Sequence, residues 1–385
     1  MTEPVVHGNE TFGVCDERFA AVGAAFDALL SEGVELGASF AVVHDDEVVV
    51  DLWGGYSDIG RRHRWERDTI VMVSSTAKVV ASIAGLMLID RDLIALNEPI
   101  ATYWPEFAAA GKSEITVRQI FCHETGVPGF GDSLPSETIM GDWDACVAHL
   151  AAEPPWWEPG TKSGYHSMSY GYLLGELVRR TTGVPYAEFI QSELLGPLDA
   201  DFSIGVPEAD RGRVADLESL DTRVYPLGPT SFAARSEGGI DTYVHGPVPQ
   251  AWLTGCNPSG LGFSNARAVA QVGAVLANSG TSRGTRFMSA DTAALTRQEQ
   301  RYEHDLVMEA PVRWGLGFAL ASEEVPLPFP RSIHWGGFGG STFVAEPDSR
   351  TTWCYAPSRF VIDREGDSRG TTLGAATVHS ILGLG

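Results

Sequence analysis

Ser75 and Lys78 lie one helical turn apart in the run Ser75-Thr76-Ala77-Lys78. Positions i and i+3 share one face of a helix, so a hydroxyl and an amine there come within reach of each other. A serine hydroxyl is a weak nucleophile until a base takes its proton. A lysine is such a base only when its ammonium is destabilised, and lowering its pKa from about 10.4 to near 7 costs roughly 4 to 5 kcal/mol. Burial supplies a penalty of that kind, and Val79, Val80, Ile83 and Ala84 surround Lys78 in the sequence. A serine in a first helical turn also presents a backbone N–H with no helical partner, suited to holding an oxyanion. The chain has three lysines, Lys78, Lys112 and Lys162, and only Lys78 follows a serine at this spacing. Taken alone, the pair reads more simply as a helix cap with a lysine snorkelling to solvent.

A second serine competes for the role. Gly366-Asp367-Ser368-Arg369-Gly370 matches the Gly-x-Ser-x-Gly elbow of α/β-hydrolases. That fold needs an acid and then a histidine after the serine. Only His379 follows Ser368, and no Asp or Glu does, so the run is expected to be a charged surface turn. The ten histidines show no ligand spacing, and neither a metal nor a cofactor is expected. Gly54-Gly55 and Gly336-Gly337 are too bare to be nucleotide loops. Trp156-Trp157 reads either as a pocket wall or as packing. Five scattered cysteines without a Cys-x-x-Cys pair suggest small buried residues in a reducing compartment.

The elements that must position Ser75 follow from periodicity. Thr76 to Ile89 is apolar almost all round, which predicts a buried helix. Phe19–Leu30, Asn265–Ser279 and Thr371–Leu384 also have helical patterns. Ser39–Val43 and Glu47–Trp53 are β-rich and separated by His44-Asp45-Asp46, which predicts a hairpin. Three more β-like runs come late, at Trp314–Leu320, Thr342–Glu346 and Thr351–Ala356. Strands thus cluster towards both ends and helices fill the middle. This order predicts an α+β fold, with an antiparallel sheet built from both ends and a mainly helical domain inserted. The sheet domain is assigned to 1–65 and 285–385, and the helical domain to 66–284. Within the latter, 207–258 is rich in Gly, Pro and Asp and is expected to be an irregular excursion on the surface or over a cleft.

Composition excludes several classes. The formal net charge is −23, which argues against nucleic acid and against anionic membranes. The longest apolar stretch, Val79–Ile89, is too short to span a bilayer. The first residues lack the basic and apolar regions of a secretory signal, so a cytoplasmic location is expected. Oligomeric state is not legible.

Further motifs carry a resemblance. Thr69–Lys78 is followed by Leu96-Asn97-Glu98-Pro99-Ile100, Tyr103–Phe107, Ile115–Ile120 and His123-Glu124-Thr125-Gly126-Val127-Pro128. Together these resemble the serine β-lactamase and penicillin-binding-protein superfamily, and most of all the family VIII carboxylesterases with a class C β-lactamase-like fold. The resemblance spans roughly Phe40 to Tyr355. It implies that Tyr165, in Tyr165-His166-Ser167, stands beside Ser75 and Lys78 and relays the proton. It implies that His334-Trp335-Gly336-Gly337 replaces the Lys-Thr-Gly strand, with His334, Trp335 and Gly336 facing substrate. The N–H of Gly337 would then be the oxyanion donor paired with that of Ser75. A lysine cation at that strand holds the carboxylate of a lactam substrate, whereas His334 is mostly neutral near pH 7. The expectation is therefore a serine esterase acting on a small-molecule ester of small to medium acyl chain. A β-lactamase or amidase, an acyltransferase, and an acyl-binding protein that stalls remain the alternatives.

Overall fold

The computed structural model describes residues 5–6, 10–131, 133–220, 227–327, 329–361 and 367–383. A ten-stranded antiparallel sheet dominates it. In spatial order its strands are Val5–Val6, Thr11–Cys15, Glu47–Gly55, Gly37–His44, Thr351–Pro357, Thr342–Glu346, Ile333–Gly336, Ala319–Leu320, Ala310–Trp314 and Arg301–Asp305. Near its middle, the adjacent strands Gly37–His44 and Thr351–Pro357 come from opposite ends of the chain, and Ala41 pairs with Cys354. The expected hairpin is present, with a bulge between Val42 and Val43.

Both faces of the centre of this sheet are covered, which explains runs that are apolar without alternation. Phe40, Val42, Trp353 and Tyr355 pack on one face with Phe26 and Leu373, from the helices Ala20–Ser31 and Arg369–Leu382. Ala41, Val43, Cys354 and Ala356 point to the other face, where the helix Ala266–Ala277 lies. That helix is capped by Asn265, whose Oδ1 accepts the Ala268 N–H at 3.0 Å. Each large apolar side chain buried this way stabilises the fold by about 1.5–3 kcal/mol.

One expectation about elements needs correcting, and one gains detail. Trp314–Leu320 is not one strand. Trp314 pairs with Ala319 across a tight turn, because Gly317 takes φ +82°, a left-handed conformation that glycine adopts without penalty. The Thr76–Ile89 helix is an α-helix over Lys78–Asp90, preceded by a 3-10 turn over Ser74–Ala77. The excursion at 207–258 contains short elements, and its Leu217–Ser219 and His245–Gly246 form a small sheet with Arg359–Phe360. Residues 221–226 within it lie outside the described residues, as do Gly366 and Leu384. Among the described residues, no helix is long and apolar enough to cross a membrane.

Candidate active site

The turn that carries Ser75 is held from two sides. Val71–Met72 pairs with Gly262–Ser264, and the Val73 N–H donates to the Gly262 carbonyl at 2.9 Å. On the other side, the Ser341 hydroxyl donates to the Val73 carbonyl at 2.8 Å, so the Thr76 hydroxyl, 2.9 Å away, donates to Ser341 Oγ. Ser74, just before the nucleophile, has φ 48°, a costly conformation for a residue with a side chain.

Lys78 lies under Ser75 and is 3% exposed. Its Nζ is 3.1 Å from Ser75 Oγ and 2.8 Å from each of the Ser167 and Ser259 carbonyl oxygens. Carbonyls only accept, so two N–H bonds of the amine must point at them. The remaining tetrahedral position then faces Ser75 Oγ. In the neutral amine that position is a lone pair, ready to accept the serine proton. Burial holds the Lys78 pKa well below its ordinary value, against a smaller opposing pull from the negative charge of Glu237.

Tyr165 lies beside this pair. Lys78 Nζ lies 4.7 Å from the centre of its ring. An aromatic cage holds that ring, with centroids of Trp335 at 4.9 Å, His123 at 5.2 Å and Trp314 at 6.3 Å. The Tyr165 backbone N–H donates to Asp305 Oδ1 at 2.9 Å, and Asp305 Oδ2 accepts from the Trp314 indole at 3.2 Å. Lys78, His123, Tyr170, Trp314 and Trp335 line a small pocket.

Three histidines near the site are kept neutral. Burial lowers His166 to about 4. Its Nδ1–H donates to the Gly164 carbonyl at 2.7 Å, so Nε2 accepts from the Thr125 hydroxyl at 2.6 Å. His123, buried and at φ 59°, is held well below its ordinary value, by burial first and then by His166 and Lys78. Its Nδ1 accepts the His166 N–H at 3.1 Å, which leaves its proton on Nε2. His334, on the strand Ile333–Gly336, is lowered by burial to about 4, and its Nε2 contacts the Leu320 carbonyl at 3.3 Å. No cation therefore stands at that position near pH 7.

The expectation for Gly337 is corrected by the backbone. Its N–H donates to the Ser341 carbonyl at 2.8 Å, which turns it towards the neighbouring strand and away from Ser75. N–H directions alternate along an antiparallel strand. The opposite edge is thus faced by the N–H of Gly336, the last residue of the strand, and Phe338 follows in the turn. What Gly337 supplies is closeness. A Cβ there would stand 2.3 Å from both the Val73 carbonyl oxygen and Ser341 Oγ, so only glycine lets the strand reach the nucleophile turn.

Several contributors escaped the sequence reading. Ser259 and Ser167 act through backbone carbonyls, which no side-chain pattern reveals. Glu237 sits buried in the irregular excursion, before Gly238 and Gly239 at φ 62° and 67°; the Gly-Gly pair was the available signal. Phe232, from the same excursion, packs with Trp335 and Met308 on the cluster around Tyr165. Trp156 and Trp157 pack on Phe232, with centroids 6.0 and 5.6 Å away. Ser368 is exposed, but its neighbour Arg369 is buried at 3% exposure, so the run is not the surface turn expected. Its charge is drawn inwards by Glu35 and Asp367.

The architecture is shared with known proteins. A solved family VIII carboxylesterase superposes with a TM-score of 0.89 at 35% identity, covering 96% of this chain and 100% of that one. A penicillin-binding protein homologue from Caulobacter crescentus gives 0.87 at 33% identity, covering 96% and 99%. The esterase/beta-lactamase LipL of Mycobacterium tuberculosis (strain ATCC 25618 / H37Rv) is 32% identical over 369 residues, 92% of this chain and 84% of that protein. With residues 24–376 matched by the family model described as Beta-lactamase, and Ser75 and Lys78 meeting inside that fold, the chain belongs to the beta-lactamase family.

Proposed function

We propose that this serine hydrolase cleaves neutral carboxylic esters of small to medium acyl chain through an acyl-serine intermediate. One observation carries the reading: two carbonyls orient Lys78 so that its remaining valence meets Ser75 Oγ. Ser75 Oγ attacks the ester carbonyl carbon, and its proton passes to the neutral Lys78 amine. The oxyanion is held by the Ser75 N–H and by an amide on the outward edge at Gly336–Phe338. As the C–O bond to the alcohol breaks, Lys78 returns the proton to the leaving oxygen, with Tyr165 beside it as the relay. Water then attacks the acyl-enzyme, and the same groups run in reverse to release the acid.

The choice of ester over lactam rests on His334. A neutral, half-buried imidazole cannot pair with a substrate carboxylate as a lysine does. The likeness to the family VIII carboxylesterase and to LipL supports the same choice. The unbridged cysteines fit a reducing compartment, and the cytoplasm is the proposed location.

An activity-directed phosphonate followed by peptide mapping tests the reading. The label is expected on Ser75, with p-nitrophenyl butyrate hydrolysed faster than nitrocefin. Label on Ser368, or faster nitrocefin turnover, overturns it. Product that forms only with added alcohol identifies an acyltransferase instead, and an adduct that persists identifies a stalled acyl-binding protein.

A further inference from the structure

The false elbow ends in a side chain with an unusual set of partners. All five guanidinium N–H groups of Arg369 have acceptors. Nε donates to Asp367 Oδ1 and Nη2 to Asp367 Oδ2, both at 2.8 Å. Nη1 donates to Glu35 Oε2 at 2.5 Å and to the Arg359 carbonyl at 2.9 Å. The second Nη2 donor reaches the Gly339 carbonyl at 3.3 Å. A guanidinium has five donors in a fixed planar fork, so none is left over.

Gly339 belongs to the turn that follows the substrate-side strand. The Gly340 N–H closes this turn on the Gly337 carbonyl at 3.1 Å. Gly339 takes φ +92°, and a Cβ there would lie 2.3 Å from the Phe360 ring. The turn therefore lies flat on Phe360, pinned from outside by Arg369. Its far end, Ser341, is bonded to Thr76 in the nucleophile turn. One short segment thus runs from the amide edge at Gly336 to the staple beside Ser75, and on its outer side the Gly339 carbonyl accepts from both Arg369, at 3.3 Å, and the Val361 N–H, at 3.4 Å.

A buried ion cluster is a poor source of stability, because desolvation of the charges offsets most of their attraction. Its fixed geometry is the property that apolar packing would not reproduce. We propose that Arg369 is a positioning residue: held by Glu35 and Asp367, it sets the placement of the turn 337–340 and hence of the oxyanion-binding edge relative to Ser75. This rests on the ester-hydrolase reading above. The turn touches the reacting carbonyl through its backbone, and Arg369 acts only through the turn.

Lysine at this position keeps the charge but has three donors, too few for Glu35, Asp367 and both carbonyls. Arg369→Lys is expected to lower kcat on p-nitrophenyl butyrate roughly ten- to hundred-fold with KM within about two-fold, since displacements near 1 Å cost on that order. The affinity for a boronic acid, which forms a tetrahedral adduct on Ser75, should weaken by the same factor. A folded Arg369→Lys protein with unchanged kcat, or with its loss confined to KM, overturns the proposal. Should that variant not fold, Asp367→Asn leaves the Glu35–Arg369 pair intact and is read by the same split: lowered kcat at constant KM supports the role, and unchanged kcat overturns it. Ser75→Ala and wild type run alongside. If Ser75→Ala keeps the wild-type rate, the hydrolase reading has failed, and not the positioning role alone.

Discussion

Lys78 Nζ stands 3.1 Å from Ser75 Oγ, and both remaining N–H directions are taken by carbonyls. The amine is therefore fixed by backbone and has no freedom to swing to solvent. Lys78→Ala should lower kcat by about 10²–10⁴-fold, the usual contribution of a positioned base. In wild type the active form is the neutral amine, so kcat/KM should rise with pH as Lys78 loses its proton. Because burial lowers that pKa, the rise should fall well below the ordinary lysine value of 10.5. A rise centred at the ordinary value would sink the argument that burial makes Lys78 a base.

Glu237 tunes the same group. Its negative charge favours the ammonium form of Lys78 and so raises the pKa that burial lowers. Glu237→Gln removes that pull, and the acid limb of the pH–rate profile should move to lower pH. A limb that stays in place, or moves up, contradicts this role.

Gly337 should tolerate no side chain. In Gly337→Ala the new methyl meets the Val73 carbonyl and Ser341 Oγ at 2.3 Å, so strand and nucleophile turn must part. Overpacking of this kind costs about 1–3 kcal/mol, read as a lower denaturation midpoint. Misplacing the site should also reduce kcat at least about ten-fold. A variant as stable and as active as wild type would show that the close approach is dispensable.

Acid should unfold the protein above the carboxylate range. His166 titrates at about 4 in the folded state against 6.5 when free. Between those values the unfolded chain binds a proton that the native state refuses, so stability falls as pH drops from 6.5 towards 4. Above 6.5 this group contributes no slope. For a fully buried histidine the slope is about 1.4 kcal/mol per pH unit, and His123 and His334 act in the same direction. Urea denaturation at pH 7.5, 5.5 and 4.5 measures it. His166→Gln should flatten the decline, and an unchanged slope counts against the assignment.

How much of this was legible in the sequence depended on what kind of atom did the work. Ser75 and Lys78 are one turn apart on a buried helix, and a spacing rule finds them. The hairpin Gly37–Gly55 and the helix Ala266–Ala277 announce themselves by apolar pattern. Tyr165 and the Ile333–Gly336 strand were legible only through resemblance to a family. The Ser167 and Ser259 carbonyls were not legible at all, since every residue has a carbonyl and only the fold aims it. Gly337 misled because a glycine beside a nucleophile suggests amide donation, whereas strand alternation turned its N–H the other way. The Trp314–Leu320 run looked continuous because two glycines interrupt apolar residues without changing their hydropathy.

The sheet closes between Gly37–His44 and Thr351–Pro357, and Tyr355 bonds to Glu35 across 320 positions of chain. A ribosome adding about 5–20 residues per second has the first hairpin out long before its partner strand exists. Until then one edge of Gly37–His44 is an open template for other strands. Such distant pairing also makes folding slow. The opening for misassembly is therefore set by the order of synthesis, and it closes only once residue 351 has emerged.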